Sequence, residues 1–287
     1  MKFNRKGIIL AGGFGTRLHP LTQVMSKQLL PIYDKPMIFY PLSNLIMSNI
    51  KDILIISSPG HLNFYKKLLG NGKKYGVNFT YKIQKYPNGI AEGILIAEKF
   101  LNGSDMCLIL GDNIYFGKNI DKKFLAASMS KKQSIFIKKV KDPNKYGVIK
   151  FKKKTPVLIV EKPKKYVSNY AVTGIYYLSN HAIELTKRLK PSKRKELEIT
   201  DLNNILLEND SLFVNRLDSH HYWYDAGNHE DYLDASIMVR NYEKRSNKIV
   251  GSLEYEAFKK EILKKEDLFN NIKFNNQYYQ KLYKKIK

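Results

Sequence analysis

The chain has 287 residues, 43% of them hydrophobic and 12% aromatic, a globular composition that excludes a disordered protein. Its formal net charge is +24, but the lysines are scattered along the whole length, with no RNA-binding aromatic motif or basic amphipathic helix among them. That pattern describes a lysine-rich chain rather than a nucleic-acid binder, and its positive field would speed the encounter with a nucleoside triphosphate. Cys107, the only cysteine, excludes an intrachain disulfide and a thiolate zinc site.

The N-terminus leads directly into a strand and no apolar run is long enough to span a bilayer, so a cytoplasmic protein with no membrane partner is expected. Ile8–Ala11 reads as a buried strand, and it runs into the glycine-rich turn Gly12-Gly13-Phe14-Gly15-Thr16-Arg17. A helix is expected near Pro41–Asn49 and a strand over Ile53–Ser57. Val77, Phe79, Tyr81 and Ile83 alternate with polar residues, the period of a half-buried strand, which delivers Gln84 at its carboxyl end. Pro87-Asn88-Gly89 makes a turn and Ile90–Phe100 a helix. Met106–Leu110 is a fully buried strand that presents Gly111-Asp112-Asn113.

The second half is richer in strands: Ser134–Val140, Gly147–Phe151, Val157–Val160 and Tyr170–Leu178. Helices follow at about His181–Lys190 and Asp201–Glu208, the latter capped by Thr200 or Asp201. A strand near Ser211–Leu217 precedes Tyr222-Trp223-Tyr224-Asp225-Ala226-Gly227, and another helix starts near His229. Beyond Arg245 the chain becomes Lys/Glu/Asn-rich. The pattern predicts an α/β fold: a Rossmann-like, mixed, mostly parallel sheet flanked by helices, with a β-rich second half. It divides into a catalytic part, 1–242, and a C-terminal helical extension, 243–287. Ligands in open α/β sheets bind beyond the carboxyl ends of the strands. The loop at 12–17, Gln84 and Asp112 should therefore converge on one edge.

Glycines let backbone N–H groups ring an anion, and Arg17 with Lys27 can neutralise a polyphosphate. Two familiar phosphate loops do not fit. A Walker loop needs Gly-Lys-Ser/Thr, which is missing, and a dinucleotide fingerprint needs a third glycine where this chain has Leu18. Asp112 and Asp225, each closing a strand far apart in sequence, suit Mg²⁺, a hard ion that takes one or two carboxylates plus phosphate oxygens. The Gln84 carboxamide offers an acceptor and a donor, complementary to the N3–H and O4 of thymine or uracil; turned over, it would also suit cytosine. The six histidines lack metal-ligand spacing, and the pair His220-His221 should point to opposite faces of a strand.

The runs Leu-Ala-Gly-Gly-Phe-Gly-Thr-Arg-Leu-His-Pro-Leu-Thr (10–22) and Ser-Lys-Gln-Leu-Leu-Pro-Ile-Tyr-Asp-Lys-Pro-Met-Ile (26–38) resemble the signature of sugar-phosphate nucleotidylyltransferases. The wording of the second run is similar to the branch that joins dTTP to α-D-glucose 1-phosphate. The resemblance extends from about Lys6 to about Tyr232. It implies a nucleotide-diphospho-sugar transferase fold with a β-rich sugar-binding half, Mg²⁺ as cofactor, a homotetramer, and an early step of dTDP-deoxysugar synthesis such as that of rhamnose. It places the nucleotide on Leu10, Ala11, Gly12, Gly13, Gly15, Thr16, Arg17, Lys27, Gln84, Gly89 and Asp112. The sugar phosphate falls to Asn113, Tyr146, Gly147, Glu161, Lys162, Val172 and Trp223, and the metal to Asp112 and Asp225. Arg17, Lys27, Asp112, Lys162 and Asp225 would carry the chemistry. Arg194 matches a family arginine as a further phosphate contact, although Lys195 stands where that pattern has glycine. The family usually carries Gly-Arg-Gly near a second, regulatory nucleotide site between subunits; Asp218-Ser219-His220 stands there instead, which implies weakened feedback. UTP, another hexose 1-phosphate, and a non-catalytic nucleotide-sugar-binding regulator remain open as alternatives.

Overall fold

Hydrophobic runs that alternate between two faces organise this molecule. A computed structural model describes residues 5–271 and 276–287; residues 1–4 of the expected catalytic part and 272–275 of the expected extension lie outside the described residues. In chain order, β1 (Lys6–Ala11) is followed by the short pair β2 (Pro31–Ile32) and β3 (Lys35–Pro36), then α1 (Phe39–Met47), β4 (Asp52–Ser57), α2 (Leu62–Leu69) and β5 (Asn78–Ile83). Next come α3 (Glu92–Leu101), β6 (Met106–Leu110), β7 (Asn113–Gly117), α4 (Ile120–Met129), β8 (Gln133–Lys139), β9 (Gly147–Lys152), β10 (Thr155–Glu161) and β11 (Tyr170–Leu178). The remainder is α5 (Ala182–Lys187), α6 (Ile199–Glu208), β12 (Leu212–Leu217), β13 (His221–Asp225), α7 (His229–Ser246), α8 (Leu253–Lys259), α9 (Lys265–Asn271) and α10 (Gln277–Ile286).

The central sheet has β6, β1, β4 and β5 side by side and parallel. Antiparallel β11 joins β6 to the second half, where β8, β9, β10 and β12 complete a nine-stranded mixed sheet. Successive side chains on a strand point to opposite faces. Ile9, Ile55 and Ile109 therefore meet α1, α2, α4 and α8 on one face, while Ile8, Leu54 and Leu108 meet α3, α5 and α6 on the other. Both faces are covered, which is why these strands read as unbroken apolar runs. The expected mostly parallel sheet flanked by helices is what forms. Among the described residues no helix is long and apolar enough to cross a membrane.

The parallel order sends the ends of β1, β5 and β6 to one edge. There the glycine turn, Gln84 and Asp112 emerge together. A separate antiparallel pair, β7 with β13, sets Asn113 opposite Asp225. It packs on α7 through Ile114, Phe116, Ala226, Ala235 and Val239.

Several local expectations need correction. Helix α6 begins at Ile199 with Glu198 as its N-cap and no side-chain capping bond, because the Thr200 hydroxyl donates instead to Glu161 Oε2 at 2.7 Å. Helix α5 stops at Lys187, short of Lys190. His220 is a turn residue ahead of β13, so its ring lies 4.1 Å from that of His221 rather than across a sheet. The division expected after residue 242 falls inside the continuous helix α7, and Leu253, Ala257 and Leu263 of the following segment lie in the main core.

Candidate active site

The loop after β1 is bent by glycine. Gly15 takes a left-handed conformation (φ 64°) as its carbonyl accepts from the Thr22 hydroxyl at 2.8 Å, and a short 3-10 turn over Thr16–Leu18 follows. That turn projects Arg17 outward. Its guanidinium comes so close to Gly227 that a β-carbon there would sit 2.9 Å from Nη2, and the Asp225 carboxylate borders the same spot. Lys27 starts a second 3-10 turn over Lys27–Leu29, anchored below by Tyr65, whose hydroxyl donates to Ser26 Oγ at 2.7 Å.

Asp112 and Asp225 sit side by side on adjoining chain segments, with the Ala226 N–H donating to the Asp112 carbonyl at 3.1 Å. Lys27 Nζ donates to Asp112 Oδ2, and Asn113 Nδ2 donates to Oδ1 at 3.0 Å. Burial works to raise the Asp112 carboxyl, but the Lys27 charge and the Lys27 and Asn113 hydrogen bonds outweigh it and hold the group below its ordinary range. Among the described residues Asp225 has no such hydrogen-bonded cation. Burial first, and the neighbouring Asp112 carboxylate second, push it up to about 7 against the pull of Lys27 and Arg17. Two carboxylates crowded into a poorly solvated corner, one of them short of positive charge, fit a hard divalent cation such as Mg²⁺.

Two cavities flank this pair. The first, of about 210 Å³, is lined by Leu10, Gly12, Gly13, Lys27, Gln84, Gly89 and Asp112, together with Glu196. The second, of about 150 Å³, is lined by Asn113, Tyr146, Gly147, Glu161, Lys162, Val172, Trp223 and Asp225. Ile90 and Leu110 line both and form the partition between them. Of the candidate nucleotide residues, Ala11, Gly15, Thr16 and Arg17 do not line the first cavity; Ala11 is buried, with its carbonyl accepting from Tyr65 at 3.3 Å. All the candidate sugar-phosphate residues line the second.

Within the second cavity Asn113 is a hub. Its Oδ1 accepts from Trp223 Nε1 at 2.6 Å and from the Gly174 N–H at 3.2 Å, so the amide supports Asp112 and the Trp223 ring rather than standing free. Glu161 is steadied by Thr200 and lies 3.6 Å from Arg194 Nη2. Arg194 is otherwise bonded to Glu198, at 3.0 and 2.7 Å. Lys195 beside it takes φ 62°, the left-handed conformation that suits a glycine. Lys162 also has positive φ (42°), a strained backbone of the kind that gathers at functional sites.

Sequence reasoning passed over Glu92, Asn88, Thr200 and the buried set Ser26, Gln28 and Tyr65. Ser26 and Gln28 do lie in the run 26–38 and Asn88 in the turn ahead of α3; Glu92, Thr200 and Tyr65 had no motif around them that pointed to the site. Asp218, His220 and His221 bring ligand-type atoms within 4.8 Å of one another. Two of the three are partly engaged: the Asp218 N–H donates to His221 Nδ1 at 3.0 Å, and Asp218 Oδ2 pairs with Lys123 at 3.1 Å.

Two cavities that meet at Ile90 and Leu110, one lined by Asp112 and the other by Asp225, lie at the carboxyl edge of the sheet, an arrangement suited to an enzyme of phosphorylated ligands. Known proteins agree. The family model described as Nucleotidyl transferase matches residues 6–241. A glucose-1-phosphate thymidylyltransferase of Neisseria meningitidis serogroup A is 42% identical over 98% of this chain and 99% of its own length. That of Xanthomonas campestris pv. campestris is 44% identical over 88% of this chain and 87% of its own. Among solved structures, one from Bacillus anthracis assigned as a glucose-1-phosphate thymidylyltransferase, in complex with a sucrose, superposes with a TM-score of 0.76 at 38% identity. It covers 83% of this chain and 96% of that one. A UDP-glucose pyrophosphorylase bound to UDP-glucose shares the fold, with a TM-score of 0.73 at 24% identity. The chain belongs to the nucleotidyl transferase family, in the company of the glucose-1-phosphate thymidylyltransferases.

Proposed function

We propose that this chain makes dTDP-glucose and pyrophosphate from dTTP and α-D-glucose 1-phosphate, with Mg²⁺, as the names of its relatives suggest. The observation that carries the proposal is the partition: Asp112 faces the first cavity and Asp225 the second, so two substrates bound one in each would meet at the carboxylate pair. The first cavity, beside the glycine turn and Lys27, takes the triphosphate; the second, with Glu161 and Lys162, takes the sugar phosphate. Glu161 accepts from sugar hydroxyls and Lys162 holds the sugar's phosphate. An oxygen of that phosphate attacks the α-phosphorus in line, the new P–O bond forms, and the bond to the bridging oxygen breaks, its electron pair leaving with pyrophosphate. Arg17 and Lys27 neutralise the leaving group, and no protein nucleophile takes part. Asp112 and Asp225 would hold the Mg²⁺, which when bound supplies charge stabilisation at the α-phosphate.

Nucleotidyl transfer usually needs a divalent metal, and the carboxylate oxygens of Asp112 and Asp225 are donors of that type. The same reading places the enzyme in the cytoplasm as a homotetramer and at an early step of dTDP-deoxysugar synthesis. Pyrophosphate release measured over a matrix of nucleoside triphosphates and sugar 1-phosphates, with and without Mg²⁺, tests it. The reading requires the highest kcat/KM for dTTP with glucose 1-phosphate. A preference for UTP or for another hexose phosphate would reassign the substrates, and no release with any pair would refute catalysis.

A further inference from the structure

We infer that Glu92 sets which base the first cavity accepts, by locking the Gln84 amide in one of its two orientations. The inference rests on that cavity being the triphosphate site, as proposed above. A glutamine amide has an acceptor end and a donor end of nearly equal shape. Left free, it meets a thymine or uracil edge one way up and a cytosine edge the other way up.

Here it is not free. Gln84 Nε2 donates to Glu92 Oε2 at 2.6 Å and to the Gly89 carbonyl at 3.2 Å. A carboxylate and a carbonyl offer acceptors only, so turning the amide over would set its oxygen against two others. Glu92 is itself held. Its second oxygen accepts from Asn88 Nδ2 at 2.9 Å, and the Asn88 carbonyl accepts from the Leu197 N–H at 2.7 Å. Gly89 keeps its carbonyl in place because the chain there is left-handed (φ 107°) and pressed onto Leu197: a β-carbon would lie 2.3 Å from the Leu197 carbonyl oxygen.

Only Gln84 Oε1 remains for a ligand, and it lies against the glycine turn, 3.4 Å from where a β-carbon on Gly12 would be. A lone acceptor at a buried wall selects a base that brings a donor to it. Facing that acceptor, thymine and uracil present N3–H; cytosine presents its N3 lone pair there and has to shift to bring up its C4 amine, the donor it does carry. The ligand class assigned to this wall is therefore a pyrimidine nucleotide with an N3–H. Losing a hydrogen bond to a charged group shifts an equilibrium roughly ten- to a hundredfold, enough to make the lock effective. An acidic residue in the first turn of a helix also has a plain explanation, attraction to the helix dipole. That explanation predicts an effect on stability alone.

Glu92→Gln separates the two. An amide at 92 has one acceptor oxygen; if Asn88 keeps it, the NH₂ faces Gln84 and favours the overturned orientation. The expected result is a fall of about tenfold or more in the dTTP-over-dCTP ratio of kcat/KM, with the KM for glucose 1-phosphate unchanged and the thermal midpoint close to the parent's. Glu92→Leu, which removes the acceptor without supplying a donor, should lower the ratio less. An unchanged ratio in both folded variants overturns the role of Glu92. If the parent itself shows no turnover with dTTP or UTP, the triphosphate assignment fails instead, and with it the inference.

Discussion

Gln84 and Glu161 face different cavities, and their substitutions should divide accordingly. Gln84 is only 9% exposed, and replacing it with leucine leaves a buried base edge without its partner, a cost of about 1–3 kcal/mol. Titration calorimetry on Gln84→Leu should show that loss for dTTP and little change for glucose 1-phosphate; Glu161→Gln should show the reverse. Equal losses for both ligands in either variant would make that residue a scaffold. His221 offers a second test. Burial foremost, then the charges of His220 and Lys123, push its ring down from 6.5 to about 4, and its Nδ1 already accepts from the Asp218 N–H. Above pH 6.5 the ring is neutral in both states. As pH falls from 6.5 toward 4 the unfolded chain takes up a proton that the folded chain refuses, so stability drops. Between pH 7 and 5 the parent should lose about 1–2 kcal/mol more than His221→Gln in urea melts. Equal losses would show that His221 does not titrate in this way.

At the scale of elements, what could be read from the sequence depended on whether the determinant was local. The strands Ile8–Ala11 and Met106–Leu110 were legible because burial on both faces leaves continuous apolar runs. Helix α2 and helix α4 gave no such signal: each shows only a few buried positions among lysines. Strand β7 was missed because its partner, β13, lies over a hundred residues away, and the Asn113–Asp225 pairing leaves no local trace. Glu92 was missed for a different reason: Gln84 is only 8 residues away, but no periodic pattern marks the turn that folds Gln84 back onto α3. Helix α7 illustrates a local determinant that can be tested. Asn228 caps it, with Oδ1 accepting from the Asp231 N–H at 3.0 Å. Asn228→Ala should cost about 1 kcal/mol, lowering the thermal midpoint by roughly 2–4 °C. No shift would mean that packing alone, through Ala235 and Val239, holds the helix start.

Over the whole molecule, the segment after α7 belongs to the fold rather than hanging from it. Leu253 and Ala257 are fully buried against the α1 face of the sheet, and the Val250 N–H donates to Glu243 Oε1 at 2.8 Å within α7. Each large apolar side chain removed from a core forfeits about 1.5–3 kcal/mol, and a domain's net stability is only about 5–15 kcal/mol. A chain truncated after Ser246 should therefore fail to give a soluble, cooperatively melting protein. A truncated form melting at the parent's temperature would restore the division into two independent parts.

Paired carboxylates where two cavities meet are proposed to join a nucleotide to a sugar phosphate in one displacement. Phosphorus NMR of dTTP and glucose 1-phosphate with Mg²⁺ tests it most directly, run with the parent and with Asp112→Asn and Asp225→Asn. The parent should form dTDP-glucose and pyrophosphate in equal amounts, and neither folded variant should form either. Orthophosphate in place of pyrophosphate, or variants turning over within a few-fold of the parent, would contradict it.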